Sequence, residues 1–293
     1  MKKLKTIKAR LCAGLFFHFE RRSAMYRHDS DIPVFNVEID SNELYLIGDL
    51  HIDARTFKED VFQKALKIIG DAPVILLGDV LDYGFFDDLL NQERKREKAK
   101  LQDREETRYR ISVQMMLKVD EVLDSFARIL AICEGNHDIR AAKRTGDSFL
   151  EYACAKRNIP YIIGQGLLNI KAGEKQNKKP RYFRILITHG SRGGRRASAA
   201  ANELEDLARI WSGIDVIVIG HHHYFTHIPF PKSVFLPQTN EIVTEVIEGI
   251  STPAFLGYEY YAQKRGYYPP EHAIVKLTFD SKSGEIKVDK ISL

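Results

Sequence analysis

Five apolar runs of strand character each lead into a short segment dense in glycine, histidine and aspartate. Leu44–Ile47 leads to Gly48-Asp49-Leu50-His51, Val74–Leu77 to Gly78-Asp79-Val80-Leu81-Asp82, and Ile129–Cys133 to Gly135-Asn136-His137-Asp138. Ile185–Ile187 leads to Thr188-His189-Gly190, and Val216–Ile219 to Gly220-His221-His222-His223. Short apolar runs bounded by turn residues read as fully buried strands. Donor side chains at the carboxyl ends of several such strands imply an α/β fold in which those ends meet. Nitrogen and oxygen donors with no thiolate suit borderline or hard divalent ions.

Taken in order, the segments read Asp-x-His, Gly-Asp-x-x-Asp, Gly-Asn-His-Asp, a lone His before Gly, and Gly-His-x-His. This order resembles the calcineurin-like metallophosphoesterases over roughly residues 43 to 223. The resemblance implies an αββα fold, two sheets packed as a sandwich and flanked by helices, with a binuclear metal site. Carried over residue by residue, Asp49, His51 and His223 hold a first ion and Asn136, His189 and His221 a second, with Asp79 bridging. His137 matches the family's catalytic histidine, which lies near the metals without coordinating them. Asp82 takes the place of the carboxylate that orients this histidine in the related protein phosphatases.

The chemistry agrees with that assignment. Alternate side chains of a strand face the same way, so Asp49 and His51 are expected to face one ion while Leu50 turns to the core. His221 and His223 repeat the alternation, with His222 turned away. His222 and His227 are therefore read as supporting or surface residues, and Asp53 as part of a loop or helix lead-in. Two divalent ions ~3.5–4 Å apart lower the pKa of bound water to ~7, which makes a bridging hydroxide available for in-line attack on phosphorus. The ions, Asn136 and His137 would take up the developing negative charge. His137 can then protonate the departing alkoxide, because imidazole titrates near operating pH. Mn is the favoured metal; Fe, Zn and Ni tolerate the same ligands.

Two departures bear on the substrate. Where the protein-phosphatase branch has Arg after its second Asp and Glu after Gly-Asn-His, this chain has Tyr83 and Asp138. Loss of that Arg weakens the case for dianionic monoesters. The Gly-Asn-His-Asp form, with Arg140, Thr145-Gly146-Asp147 and a Gly-Gly-Arg loop, is similar to uncharacterised phage and bacterial metallophosphoesterases. The expected activity is that of a phosphodiesterase or nuclease acting on DNA, RNA or a nucleotide diester. The enzymatic rival is a phosphomonoesterase or protein phosphatase. The non-enzymatic rival is a binding scaffold, which should have lost ligands, and none is lost.

Candidate substrate contacts are Arg140 and the arginines of Gly190-Ser191-Arg192-Gly193-Gly194-Arg195-Arg196. Glycines permit close backbone approach, a following helix N-terminus favours an anion, and guanidinium groups suit phosphate. Tyr258, Tyr260, Tyr261, Tyr267 and Tyr268, interleaved with Lys264 and Arg265, form a secondary candidate on which bases could stack. The competing reading is packing that pins a loop to the body.

At 293 residues with a net charge of +4, the chain fits one large domain or two small ones, and a polyanionic substrate is permitted without being demanded. Cys12, Cys133 and Cys154 form an odd set without metal-ligand spacing, which argues for a reducing compartment and a cytoplasmic protein. Met1–Phe19 imitates a signal peptide, but His18 interrupts the apolar run and Glu20-Arg21-Arg22 follows at once. No stretch reaches the ~20 apolar residues of a spanning helix. The expected organisation is an N-terminal extension over residues 1–34 and a catalytic domain over 35–293, with a helical insertion at about 87–127. Capping boxes at Thr56–Glu59 and Ser148–Glu151 mark two helices. A third helix spans Ala197–Trp211, and Glu241–Ile247, Ala273–Phe279 and Glu285–Ile291 are expected to close a second sheet.

Overall fold

The computed structural model describes residues 32–84, 101–146, 148–172, 181–192, 196, 198–258 and 260–293. Residues 1–31 of the expected N-terminal extension, with Cys12, and residues 85–100, which take in the first part of the insertion expected at 87–127, lie outside the described residues. In chain order the elements are β1 (Val34–Ile39), β2 (Glu43–Ile47), α1 (Glu59–Ile69), β3 (Val74–Leu76), α2 (Leu101–Asp124) and β4 (Ile129–Cys133). They continue with α3 (Asn136–Thr145), α4 (Phe149–Arg157), β5 (Tyr161–Ile162), β6 (Gln165–Ala172), β7 (Tyr182–Thr188) and α5 (Ser198–Ile210). The last are β8 (Val216–Ile219), β9 (Thr226–Leu236), β10 (Glu241–Ser251), α6 (Tyr260–Arg265), β11 (Ala273–Phe279) and β12 (Ile286–Ser292).

The strands form two six-stranded sheets, ordered β1-β6-β7-β8-β10-β9 and β12-β11-β2-β3-β4-β5. A core of Leu44, Leu46, Ile75, Leu77, Ile185, Ile187, Val216 and Val218 fills the space between them. Strands β2, β3 and β4 run parallel, as their helical crossovers require. Both faces of these strands are covered, which explains why their sequences are continuously apolar rather than alternating. Replacing a fully buried residue such as Ile75 or Leu76 by Ala would cost roughly 2–5 kcal/mol.

Helices cover the outer faces. Val61, Phe62, Ala65 and Ile69 of α1 pack on the second sheet together with Met115, Val119 and Val122 of α2. Phe126 closes this layer with its ring centroid 6.0 Å from that of Phe62. The latter half of the segment expected as an insertion is thus part of the core. It is tied to α4 through Arg157, whose guanidinium reaches Asp124 at 2.7 Å. On the other sheet, α5 buries Ala200, Leu204, Leu207 and Ala208.

Several local expectations change. Neither capping box forms: α1 begins after Lys58 and α4 after Ser148, both without a side-chain cap bond. The C-terminal strands do not share one sheet. β10 pairs with β8 and β9, whereas β11 and β12 extend the second sheet from β2. The eleven-residue β9 holds Pro229 and Pro231, which an edge strand tolerates because one of its sides needs no ladder bonds. No described helix is long and apolar enough to cross a membrane.

Candidate metal centre

Donor side chains from both sheets converge at the carboxyl ends of β2, β3, β4, β7 and β8. Asp49 and His51 do face the same place, and Leu50 is buried, but strand alternation is not the cause. β2 ends at Ile47, and Asp49, His51, Asp79, His221 and His223 all adopt left-handed backbone with φ of 49°, 48°, 47°, 67° and 63°. Such conformations cost non-glycine residues about 1–3 kcal/mol each and persist only where the surroundings over-determine them. Here they do. His51 N–H donates to the Asp79 carbonyl at 3.0 Å, Ile52 N–H to Val80 at 3.1 Å, and Gly220 N–H to His189 at 3.0 Å. His221 N–H donates to the Asp49 carboxylate at 2.9 Å.

This backbone-on-backbone packing accounts for the motif glycines. A Cβ on Gly135 would lie 2.1 Å from Asp79 Oδ1, and one on Gly78 would lie 2.7 Å from the Gly135 nitrogen. Gly78 also sits at φ 87°, where a side chain is strained in any case.

Ligand atoms of Asp49, His51 and His223 lie within 4.8 Å of one another, and so do those of Asp79, His189 and His221. Asp79 Oδ2 stands between the groups, 3.8 Å from His51 Nε2 and 3.3 Å from His189 Nε2. Asn136 joins the second group, its Oδ1 lying 3.0 Å from His189 Nε2 and 2.8 Å from His221 Nδ1.

These residues suit divalent cations on three counts. Buried His51 Nε2 lacks a hydrogen-bond partner, although buried polar atoms are nearly always paired. His189 Nδ1–H donates to the Leu77 carbonyl at 2.6 Å, which turns Nε2 into the cluster. Metal-binding histidines are commonly held in this way. Asn136 sets its side-chain amide against both His189 Nε2 and His221 Nδ1, so one neutral oxygen donor and two ring nitrogens are within reach of the same point. The pKa values point the same way. Burial opposes a charged His189, yet contact with Asp79 and the charges of Asp49 and Asp79 raise it to about 10. Burial likewise opposes ionisation of Asp79, and His189, His51 and His137 still hold its carboxyl below the usual range. The cluster is built to stabilise positive charge.

His137 stands at the N-terminus of α3, where its backbone N–H donates to Asp79 Oδ1 at 2.8 Å. Its Nδ1 lies 2.6 Å from the Asp82 carbonyl and 3.1 Å from Asp82 Oδ1. The Asp82 carbonyl can only accept from Nδ1, while Arg140 Nη2, a donor, also stands 2.9 Å from the same nitrogen. Burial lowers the His137 pKa, but bonding to Asp82 and the charge of Asp79 outweigh it and raise the value above the usual imidazole range. Asp82 also stands 3.3 Å from His51 Nδ1. Its carboxylate, held low by both histidines against the effect of burial, is shared between them. Arg140 Nη2 donates to the Asp82 carbonyl at 2.7 Å, which turns this guanidinium toward the Asp82–His137 pair.

A third layer was not foreseen. Glu203 of α5 is buried, and its carboxylate accepts from His222 Nε2 at 2.8 Å, Ser191 N–H at 2.8 Å and Arg192 N–H at 3.3 Å. It thereby joins the loop after His189 to the loop after β8. His222 is indeed off the cluster, but it is buried rather than on the surface. Asp53 accepts the backbone N–H groups of Asp82 and Tyr83, so the expected lead-in is a brace for the Asp82 loop. Asp138 accepts from Gly135 and Asp79 N–H, and burial beside Asp79 pushes its pKa to about 8. His227 pairs with Glu248 at 2.6 Å on β10.

Neither described arginine of the loop after His189 is placed among the clustered donors. Arg192 pairs with Asp206 on α5, Arg196 is exposed, and Arg195 lies outside the described residues. By contrast, Tyr258, Tyr267 and Tyr268 line a cavity that also touches Asp79, His137 and His223, and Tyr224 joins them. Tyr260 is exposed, and the side chain of Tyr261 lies outside the described residues.

The fold is a two-sheet sandwich with an Asp/His/Asn cluster able to hold metal at its strand ends. The chain belongs to the calcineurin-like phosphoesterase family, whose model matches residues 43–225. Membership carries metal-dependent phosphoester hydrolysis as the activity class. No curated protein matches the chain. Among solved structures, it is similar to the solution NMR structure of Thermotoga maritima protein TM1076. That match has 15% identity and a TM-score of 0.35, covering 87% of this chain and 100% of that one. A crystal structure with 10% identity and a TM-score of 0.38 covers 86% of this chain and is itself 99% covered.

Proposed function

We propose that the protein is a binuclear phosphodiesterase acting on a nucleic-acid or nucleotide diester. One observation carries the choice of diester over monoester: beyond the Asp/His cluster, the cavity wall is tyrosine, proline and aliphatic. A monoester dianion calls for added positive charge at its terminal oxygens, whereas a monoanionic diester presents an organic group on each side. Tyr83, at the place of the protein-phosphatase Arg, is buried and contributes no charge.

In this reading Asp49, His51 and His223 hold one ion and Asn136, His189 and His221 the other, with Asp79 between them. Two divalent cations, Mn in the favoured case, supply an activated water near neutral pH and neutralise charge on phosphorus. His137, with its Nδ1 facing Asp82, gives its Nε2 proton to the leaving oxygen. The N-terminus of α3 sets its positive dipole against Asp79, whose Oδ1 accepts His137 N–H. Buried, unpaired Cys133 and Cys154 support a reducing, cytoplasmic setting.

Turnover of bis-p-nitrophenyl phosphate and p-nitrophenyl phosphate by the Mn-loaded protein tests this reading. Clear preference for the diester is expected. Preference for the monoester would move the protein to the phosphatase branch.

A further inference from the structure

We infer that the cavity beside the metal-binding cluster is a nucleobase subsite, so that the substrate carries an unpaired nucleoside on the scissile phosphate. The inference rests on the diesterase reading above. The cavity measures about 390 Å³ and runs from His137 and His223 to a wall of Tyr224, Tyr258, Tyr267 and Tyr268, with Pro269 and Pro270 beside it. Small-ligand sites occupy about 300–1,000 Å³. A single nucleotide fits that range; a base-paired stack does not.

The rings of Tyr258 and Tyr224 are held through their hydroxyls, and the backbone of Tyr267 is tied on both sides. Tyr258 hydroxyl donates to the Tyr267 carbonyl at 2.7 Å, and Tyr224 hydroxyl donates to the Arg196 carbonyl at 2.6 Å. Tyr267 N–H donates to the Ala262 carbonyl at 3.0 Å. Tyrosines that merely pin a loop should be buried, yet Tyr267 is 38% exposed and Tyr268 65% exposed while both line the cavity. Aromatic rings with open faces, set on a tied backbone beside the hydroxyl-anchored Tyr258, suit base stacking. The cluster at the other end selects what stacks there: a planar group attached to a phosphate. Because aromatic stacking is tolerant of base identity, the subsite should accept any base and exclude one engaged in a duplex.

The test uses the full-length, Mn-loaded protein and two esters with the same leaving group, thymidine 5′-(p-nitrophenyl phosphate) and methyl p-nitrophenyl phosphate. The nucleoside ester should show a kcat/KM at least about tenfold higher. The ratio between the esters should collapse toward one in Tyr267→Ala/Tyr268→Ala and persist in Tyr267→Phe/Tyr268→Phe. Equal values in the wild type, or an advantage that survives the double Ala change, would overturn the subsite. Calorimetric titration with thymidine 5′-monophosphate and ribose 5-phosphate separates this failure from failure of the diesterase reading. If neither diester turns over but the base still adds affinity that the Ala variant loses, the subsite stands and the diesterase reading falls. No base-dependent affinity overturns the subsite. Thymidylyl-thymidine and a single-stranded oligonucleotide then distinguish a small diester from a strand end, and cleavage confined to duplex would overturn the proposal.

Discussion

Glu203 and His222 meet at 2.8 Å inside the protein, and the same carboxylate accepts the backbone N–H groups that follow His189. One buried anion therefore sets the spacing of two loops that supply three of the clustered histidines. Burial opposes its ionisation, but the bond from His222 and those from Ser191 and Arg192 pull its pKa down to about 2, against an ordinary value of 4.5. Because the folded pKa is depressed, the stabilisation is fully present above about pH 4.5 and is lost as pH falls toward 2. At about 1.4 kcal/mol per pKa unit it amounts to about 3 kcal/mol. Glu203→Gln should lose that much at pH 7 and much less at pH 3. Urea unfolding at both values checks this; an equal deficit at both would show that charge is not what holds the loops.

Asp79→Asn should abolish diester turnover and lower metal content, because the carboxylate stands between both donor groups. Elemental analysis after dialysis, beside turnover, reads both effects. Full activity with two ions retained would remove Asp79 from the bridging role.

His137→Ala should keep the metals and slow turnover by about 10²–10⁴-fold for poor leaving groups, and less for p-nitrophenolate. Asp82→Asn should be milder and should shift the pH profile. Bonding to Asp82 raises the His137 pKa, so its loss should bring the alkaline fall in rate to lower pH. An unmoved alkaline limb would separate Asp82 from proton transfer.

Gly135→Ala should damage the site without touching a donor. Its Cβ would fall 2.1 Å from Asp79 Oδ1 and 2.2 Å from Asp79 N, so Asp79 or the start of α3 must move. Overpacking of this kind costs about 1–3 kcal/mol. Reduced metal content with the fold retained by circular dichroism is the expected result.

The sequence carried most of the site because its signals are local. Ile75, Leu76 and Leu77 are apolar without alternation, and Asp79 follows within two residues. Other parts depend on pairing that no local pattern specifies. β11 and β12 could join either sheet by composition, and only their register against β2 decides. β9 was hidden by Pro229 and Pro231, which are acceptable solely because the strand lies at an edge. No strand was expected at β6, although Gly166, Leu168, Ile170 and Ala172 are buried in strict alternation, because its other half, with Gln165, Asn169 and Lys171, resembles a loop. Glu203 also left a trace. It falls at the i+3 position between Ala200 and Leu207, on the apolar face of α5, where a carboxylate needs buried partners. The left-handed backbone of Asp49 and His51 had no such trace, because it arises from contacts between loops of distant strands.

Each candidate ion position draws on both sheets: Asp49 and His51 follow β2, whereas His223 follows β8; Asp79 and Asn136 follow β3 and β4, whereas His189 and His221 follow β7 and β8. A cation held there is a rivet through the sandwich, adding to the few polar bonds, such as His221 N–H to Asp49 and His189 Nδ1–H to Leu77, that join the two layers beyond their apolar contact. Ligands that bind only the folded chain stabilise it by mass action, about 2.7 kcal/mol at a hundredfold excess over Kd. With Cys133 and Cys154 buried as free thiols, metal supply would do for this fold what a disulfide does elsewhere. Its thermal stability would therefore rise and fall with the ion concentration around it.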